Sequence, residues 1–186
     1  MVAEAGDNPK DAPPDLWERL TGEGSSESAL WSDYLLPESE REQELAFSPL
    51  NTAALALGIE TIYEGYLVHY GRPRLFATPE PEIALLLGDR LYARGLVLVS
   101  ALGDVAAVAD LANLLELCAR LQAEGRKDDG ALWAAGISRL GRGGISGAGE
   151  EFLGSGNSEP LLRLARESAG SEAVERALAV HARRFS

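Results

Sequence analysis

Glu82-Ile83-Ala84-Leu85-Leu86-Leu87-Gly88-Asp89-Arg90-Leu91-Tyr92-Ala93-Arg94-Gly95-Leu96-Val97-Leu98-Val99-Ser100-Ala101 lies at the heart of the longest apolar tract in the chain. It is too long for a strand and shows no alternation of period two, so it reads as a helix. On a helix Leu85, Leu86, Leu87, Leu91, Tyr92, Leu96, Val97, Leu98 and Val99 spread round most of the circumference. A helix apolar nearly all round is buried on most sides. The pattern predicts the central helix of a bundle or a helix in a subunit interface. Asp89, Arg90 and Arg94 stand mid-tract and argue against a membrane span. Charges inside such a helix need partners, and a buried salt link from Asp89 to Arg94 or Arg72 is the expectation.

The flanking sequence is also helical. Asn51 or Thr52 can cap a helix to about His69, ended by Gly71 and Pro73. Thr78-Pro79-Glu80-Pro81-Glu82 is a helix start, with prolines and acids where the first turn tolerates them. Asp104 caps a helix over about 105–124, with Val108, Leu111, Leu115, Cys118 and Gln122 on one stripe and Gly125 as its stop. A short helix follows over 130–140. Residues 141–157 are Gly-rich and read as a loop. A helical pattern returns over 159–184, with Gly170 as a candidate break. The fold class predicted is all-α, a helical bundle.

Composition agrees. Of 186 residues 46% are hydrophobic but only 6% aromatic, so the core is Leu, Ala and Val, a mixture that favours helices. The net charge of −12 is concentrated at the start: residues 1–50 carry 12 acidic and 3 basic residues. Residues 1–45 read as an acidic leader, disordered over 1–14 and marginally helical after it, followed by one domain over 46–186. Trp17 and Trp31 in the leader are expected to dock on the main body or on a partner. An acidic chain repels phosphate backbones, so nucleic acid is not an expected partner. One cysteine, Cys118, excludes an intramolecular disulfide framework, and its place on an apolar stripe marks an inert core residue. The start Met1-Val2-Ala3-Glu4 lacks the basic and apolar runs of a signal peptide, so the chain is expected in the cytoplasm.

Four patches then stand in order. Ile59-Glu60-Thr61-Ile62-Tyr63-Glu64-Gly65-Tyr66-Leu67-Val68-His69 leads into Tyr70-Gly71-Arg72-Pro73. Leu86-Leu87-Gly88-Asp89-Arg90-Leu91-Tyr92 comes next, then Gly130-Ala131-Leu132-Trp133, then the helix from Ala177 to Arg184. Together they resemble the trans-isoprenyl diphosphate synthases over roughly 55–184. The resemblance has gaps where that family carries its metal ligands. Its first aspartate-rich motif, which would follow His69, is absent. Asp128 and Asp129 stand where it carries Lys-Thr. Leu153-Gly154-Ser155-Gly156-Asn157-Ser158 replaces its second aspartate motif.

Such a pattern resembles the small subunits of heteromeric polyprenyl diphosphate synthases. The resemblance implies an isoprenoid-synthase bundle without a catalytic centre, needed for activity and product length. It implies no cofactor on this chain, magnesium on a catalytic partner, and an isoprenoid chain lying against the apolar helix. His69, Arg72, Arg74 and Asp89 are the substrate-proximal candidates. Arg forms bidentate bonds to phosphate, but Arg72 and Arg74 can equally pair with Glu60 or Glu64. Leu85, Tyr92, Leu96 and Val99 are the interface candidates, and a homodimer without the partner is a further expectation. The alternatives are a stand-alone helical binder of an isoprenoid lipid, an unrelated all-α interaction domain, and an enzyme with displaced ligands such as Glu60, Glu64, Asp89 and Asp128. The doublets Asp128-Asp129 and Glu150-Glu151 otherwise read as solvated.

Overall fold

The computed structural model describes residues 16–25, 29–77, 80–126 and 128–185. The expectations for residues 1–14 and for Thr78-Pro79 fall outside these. Among the described residues the protein is all-α. Its helices are α1 (Leu16–Ser25), α2 (Ala29–Tyr34), α3 (Ala53–Tyr70), α4 (Pro81–Ser100), α5 (Val105–Ala123), α6 (Gly130–Ser138), α7 (Ser146–Ser155), α8 (Glu159–Ala169) and α9 (Ser171–Ala182). The only extended pairing among them is an isolated bridge between Leu35 and Phe76. No helix among the described residues is long and apolar enough to cross a membrane.

The central helix is α3, not α4. Every residue from Leu55 to Val68 is buried, because α3 is walled on two sides. One wall is the main core, where Ile59, Ile62, Tyr63 and Tyr66 meet Leu111, Leu114 and Cys118 of α5, Trp133 of α6 and Val180 of α9. The other is a second cluster, where Leu57 and Val68 meet Leu87 and Leu91 of α4, Leu16 and Leu20 of α1, and Trp31 of α2. Trp31 is thus docked on the body, while Trp17 lies over the Arg74 guanidinium at 5.1 Å.

The pair α3–α4 packs backbone against backbone at glycines, where a side chain would not fit. A Cβ on Gly95 would sit 2.3 Å from Ile62 Cγ1 and 2.9 Å from the Gly58 carbonyl. One on Gly65 would sit 3.0 Å from the Gly88 carbonyl, and one on Gly58 would sit 2.6 Å from Val99 Cγ2. Glycine inside a helix costs about 1 kcal/mol against alanine, so four in facing positions mark a required close approach.

Most ends follow the signals in the sequence. The Asp104 carboxylate accepts from the Ala107 amide at 2.9 Å and caps α5. Thr52 stands at the N-cap of α3, while the Asn51 side chain accepts from the Thr52 amide at 2.7 Å. Gly170 separates α8 from α9. The Gly-rich segment differs from expectation: part of it is α7. Phe152 is fully buried beneath the Arg126 guanidinium, and Gly149 lets this turn lie against Leu117 of α5. Tertiary packing thus overrides the low helix propensity of glycine. Gly156, with φ of 74°, closes the helix in the left-handed conformation.

Candidate functional site

The charged interior is built on α3. Glu60 and Glu64 lie one turn apart and, with Arg74 from the turn after the helix, are wholly buried. Arg74 Nη1 donates to Glu60 Oε2 at 2.5 Å and Nε donates to Glu64 Oε2 at 2.8 Å. The other oxygen of each carboxylate is also engaged. Glu60 Oε1 accepts from the Ala46 and Ser48 amides, and Glu64 Oε1 accepts from the Arg74 and Leu75 amides. Burial opposes the charge on Arg74, but the two carboxylates outweigh it and hold the guanidinium above its ordinary pKa. This cluster pins the segments 46–48 and 74–75 to α3. Arg74 is therefore engaged within the protein and does not reach a surface ligand. Glu60 and Glu64 are likewise not available as metal ligands.

His69, at the end of α3, faces Asp89 of α4, with Nε2 3.3 Å from Oδ1. Burial lowers the His69 pKa, and the Asp89 charge opposes this in part. Asp89 is exposed, so the expected buried link to Arg94 or Arg72 does not form. An aspartate on the outward face of α4 stays hydrated. Arg72 is also exposed, 3.3 Å from Glu42. Its amide donates to the Arg184 carbonyl at 2.9 Å, and Arg184 itself is buried with Glu42 as partner. His69 and Asp89 are thus brought together, while Arg72 and Arg74 point to different partners.

A second polar group lies inside the main core. Tyr63 Oη and His181 Nδ1 are 2.9 Å apart, and His181 Nε2 is 3.4 Å from Asp129 Oδ1. Asp129 is fully buried, and neither of its carboxylate oxygens has a hydrogen bond among the described residues. The expectation of a solvated doublet therefore holds only for Asp128, which pairs with Arg126 at the surface. Asp129 is turned inward because it stands at the start of α6, against α9. Burial raises the pKa of Tyr63, Tyr66 and Cys118. No cluster of three or more metal-ligating side chains occurs among the described residues.

The candidate surface is the outer face of α4. Leu85, Leu86 and Val97 are 56%, 57% and 58% exposed, and the stripe continues over the α4–α5 turn through Leu102 and Val105, which is 80% exposed. Of the four interface candidates only Leu85 belongs to it. Val99 is buried against Gly58, and Tyr92 and Leu96 pack on the main core. The sequence reading missed Leu86, Val97, Leu102 and Val105, because an apolar helix does not disclose which side its neighbours leave open.

Comparison of the chain with protein-family models, with curated proteins and with solved structures finds no match.

Proposed function

We propose that this chain is the non-catalytic subunit of a heteromeric polyprenyl diphosphate synthase, an isoprenoid-synthase-type bundle that pairs with a catalytic chain. The observation that carries the reading is the apolar stripe on α4. Leu85, Leu86 and Val97 face solvent on α4, and Leu102 and Val105 follow them over the turn into α5. Large apolar side chains left in solvent along one face of a helix point to an interaction site.

Three further observations support it. The patches resembling the synthases fall, in order, on α3 and its following turn, on α4, at the start of α6 and on α9. The place after His69, where the resembled family carries its first aspartates, is closed by the C-terminal residues: Arg72 bonds to the Arg184 carbonyl, and Phe185 lies against Gly71. The acidic side chains of α3 are engaged by Arg74. Magnesium and the diphosphates then belong to the partner, and this chain acts by walling the apolar slot in which the product grows.

The test is affinity purification of the tagged full chain from its source organism, beside the variant Leu85→Glu/Val97→Glu. The expected result is co-purification of a chain carrying both aspartate-rich motifs in near-equal amount, lost with the variant. Elongation of an allylic diphosphate with isopentenyl diphosphate and magnesium should need both chains. Recovery of this chain alone, or a partner whose activity and product length ignore it, would overturn the proposal.

A further inference from the structure

A groove of about 350 Å³ lies between α9 and the segment 43–49. Leu45, Ala46, Pro49, Ala173, Ala177 and Val180 line it, with Glu44 and Arg176 beside them. Ala173, Ala177 and Val180 share one face of the helix, because residues three and four apart lie side by side. The wall opposite α9 is fixed. The Ala46 and Ser48 amides donate to Glu60, and the Glu44 carbonyl accepts from Arg74 Nη1 at 2.8 Å. The backbone there stays in place when the Glu44 side chain turns away.

At the end of α9 the apolar lining meets arginines. Arg183 Nη2 donates to both oxygens of Glu44, at 2.7 and 2.8 Å, and Arg184 Nη2 is 3.9 Å from the same carboxylate. Arg184 is buried, yet its Nε and Nη1 have no acceptor among the described residues. Its Nη2 donates to Glu42 at 2.8 Å, a carboxylate it shares with Arg72. A buried guanidinium with more donors than acceptors favours a further oxyanion beside it. Glu44 and Arg183 are both about half exposed. A surface pair of this kind contributes little to stability, so its carboxylate is readily exchanged for another.

We infer that this groove binds a fatty acid, its alkyl chain against Leu45, Ala177 and Val180 and its carboxylate on Arg183 and Arg184, where the Glu44 side chain now sits. The head is a carboxylate because that is the group these arginines already hold. The tail is an alkyl chain because the lining is apolar and follows one helix face. From Ala173 to Arg183 that face rises about 15 Å, room for a medium-length chain lying along it. The volume is that of a small-molecule site. Glu44 then acts as a competitor built into the chain. This inference does not depend on the synthase reading, which is carried by the outer face of α4.

The probe is dodecanoate, titrated calorimetrically into the full chain below its micelle concentration, at fixed ionic strength and about pH 8, where its carboxyl is ionised. One molecule should bind per chain. Glu44→Gln removes the competing charge and should tighten binding about fivefold, whereas Arg183→Gln should weaken it about tenfold. Both positions are at the surface, so neither variant threatens the fold. Ala173→Trp, which fills the groove at the end away from Arg183, should abolish binding. Dodecyltrimethylammonium, with the same tail and the opposite charge, should not compete. Absence of saturable binding to both the parent and Glu44→Gln, or equal affinity for the two head groups, would overturn the inference. Dodecyl phosphate binding more than about tenfold tighter than dodecanoate would assign the groove to a phosphate-headed lipid and overturn the fatty-acid assignment. Binding lost with Leu85→Glu/Val97→Glu would place the tail on α4 and overturn it equally.

Discussion

At Arg74 a guanidinium sits out of water between two carboxylates, so three charges are desolvated together. Such a group tolerates replacement as a whole far better than the loss of one member. Arg74→Ala should therefore lower unfolding free energy by about 3–5 kcal/mol, read from urea titration. Arg74→Lys keeps the charge but loses the fork that reaches both Glu60 and Glu64, and should fall between the two. His69 gives a pH signature. Its folded pKa lies below the ordinary 6.5, chiefly through burial. The unfolded chain takes up the proton first, so the stability is complete above pH 6.5 and is lost as pH falls through the lower folded value. His69→Gln should flatten the fall in urea midpoint below that pH, and an unchanged slope would show that other groups carry it. The pairing of Arg74 was legible in the sequence, since Glu60 and Glu64 are the only acids in an otherwise apolar helix. The inward turn of Asp129 was not legible, because its reason is the approach of α9 from more than fifty positions away.

Among the elements, the contact between α3 and α4 organises the rest. It depends on glycine where backbone meets backbone. Gly95→Val would drive a branched side chain into Ile62 and the Gly58 carbonyl, and Gly65→Val would meet the Gly88 carbonyl. Overpacking of this kind costs about 1–3 kcal/mol, and more where the obstacle is backbone. Thermal unfolding of each variant beside Gly154→Ala supplies the control. Gly154 is in α7 with no neighbour near its Cβ position. Alanine there should raise stability, by up to about 0.5–1 kcal/mol from helix propensity. Helices α3, α4, α5 and α9 could be placed closely from caps, stops and period. Helix α7 could not, because glycine hides a helix that exists through the burial of Phe152.

For the whole molecule the decisive feature is that α4 has three environments: the main core, the second cluster under α1, and solvent. The outer stripe contributes little to folding. Leu85→Glu/Val97→Glu should leave the unfolding free energy within about 0.5 kcal/mol of the parent while reducing self-association at high concentration. Light scattering and denaturation on the same samples separate these effects. A large loss of stability would mean that the stripe is structural.

The positions of α3, α4, α5 and α9, the all-α class, the acidity of the first fifty residues and the burial of Cys118 follow from the order of residues, because period, capping and composition are local. Their arrangement does not. That α3 is the centre, that α4 turns Leu86 and Val97 outward and Val99 inward, and that Leu16, Leu20 and Trp31 pack on the second cluster all depend on which side of an apolar helix receives a neighbour. An apolar residue is equally suited to a core, a groove or an interface, and contacts between distant segments choose among them.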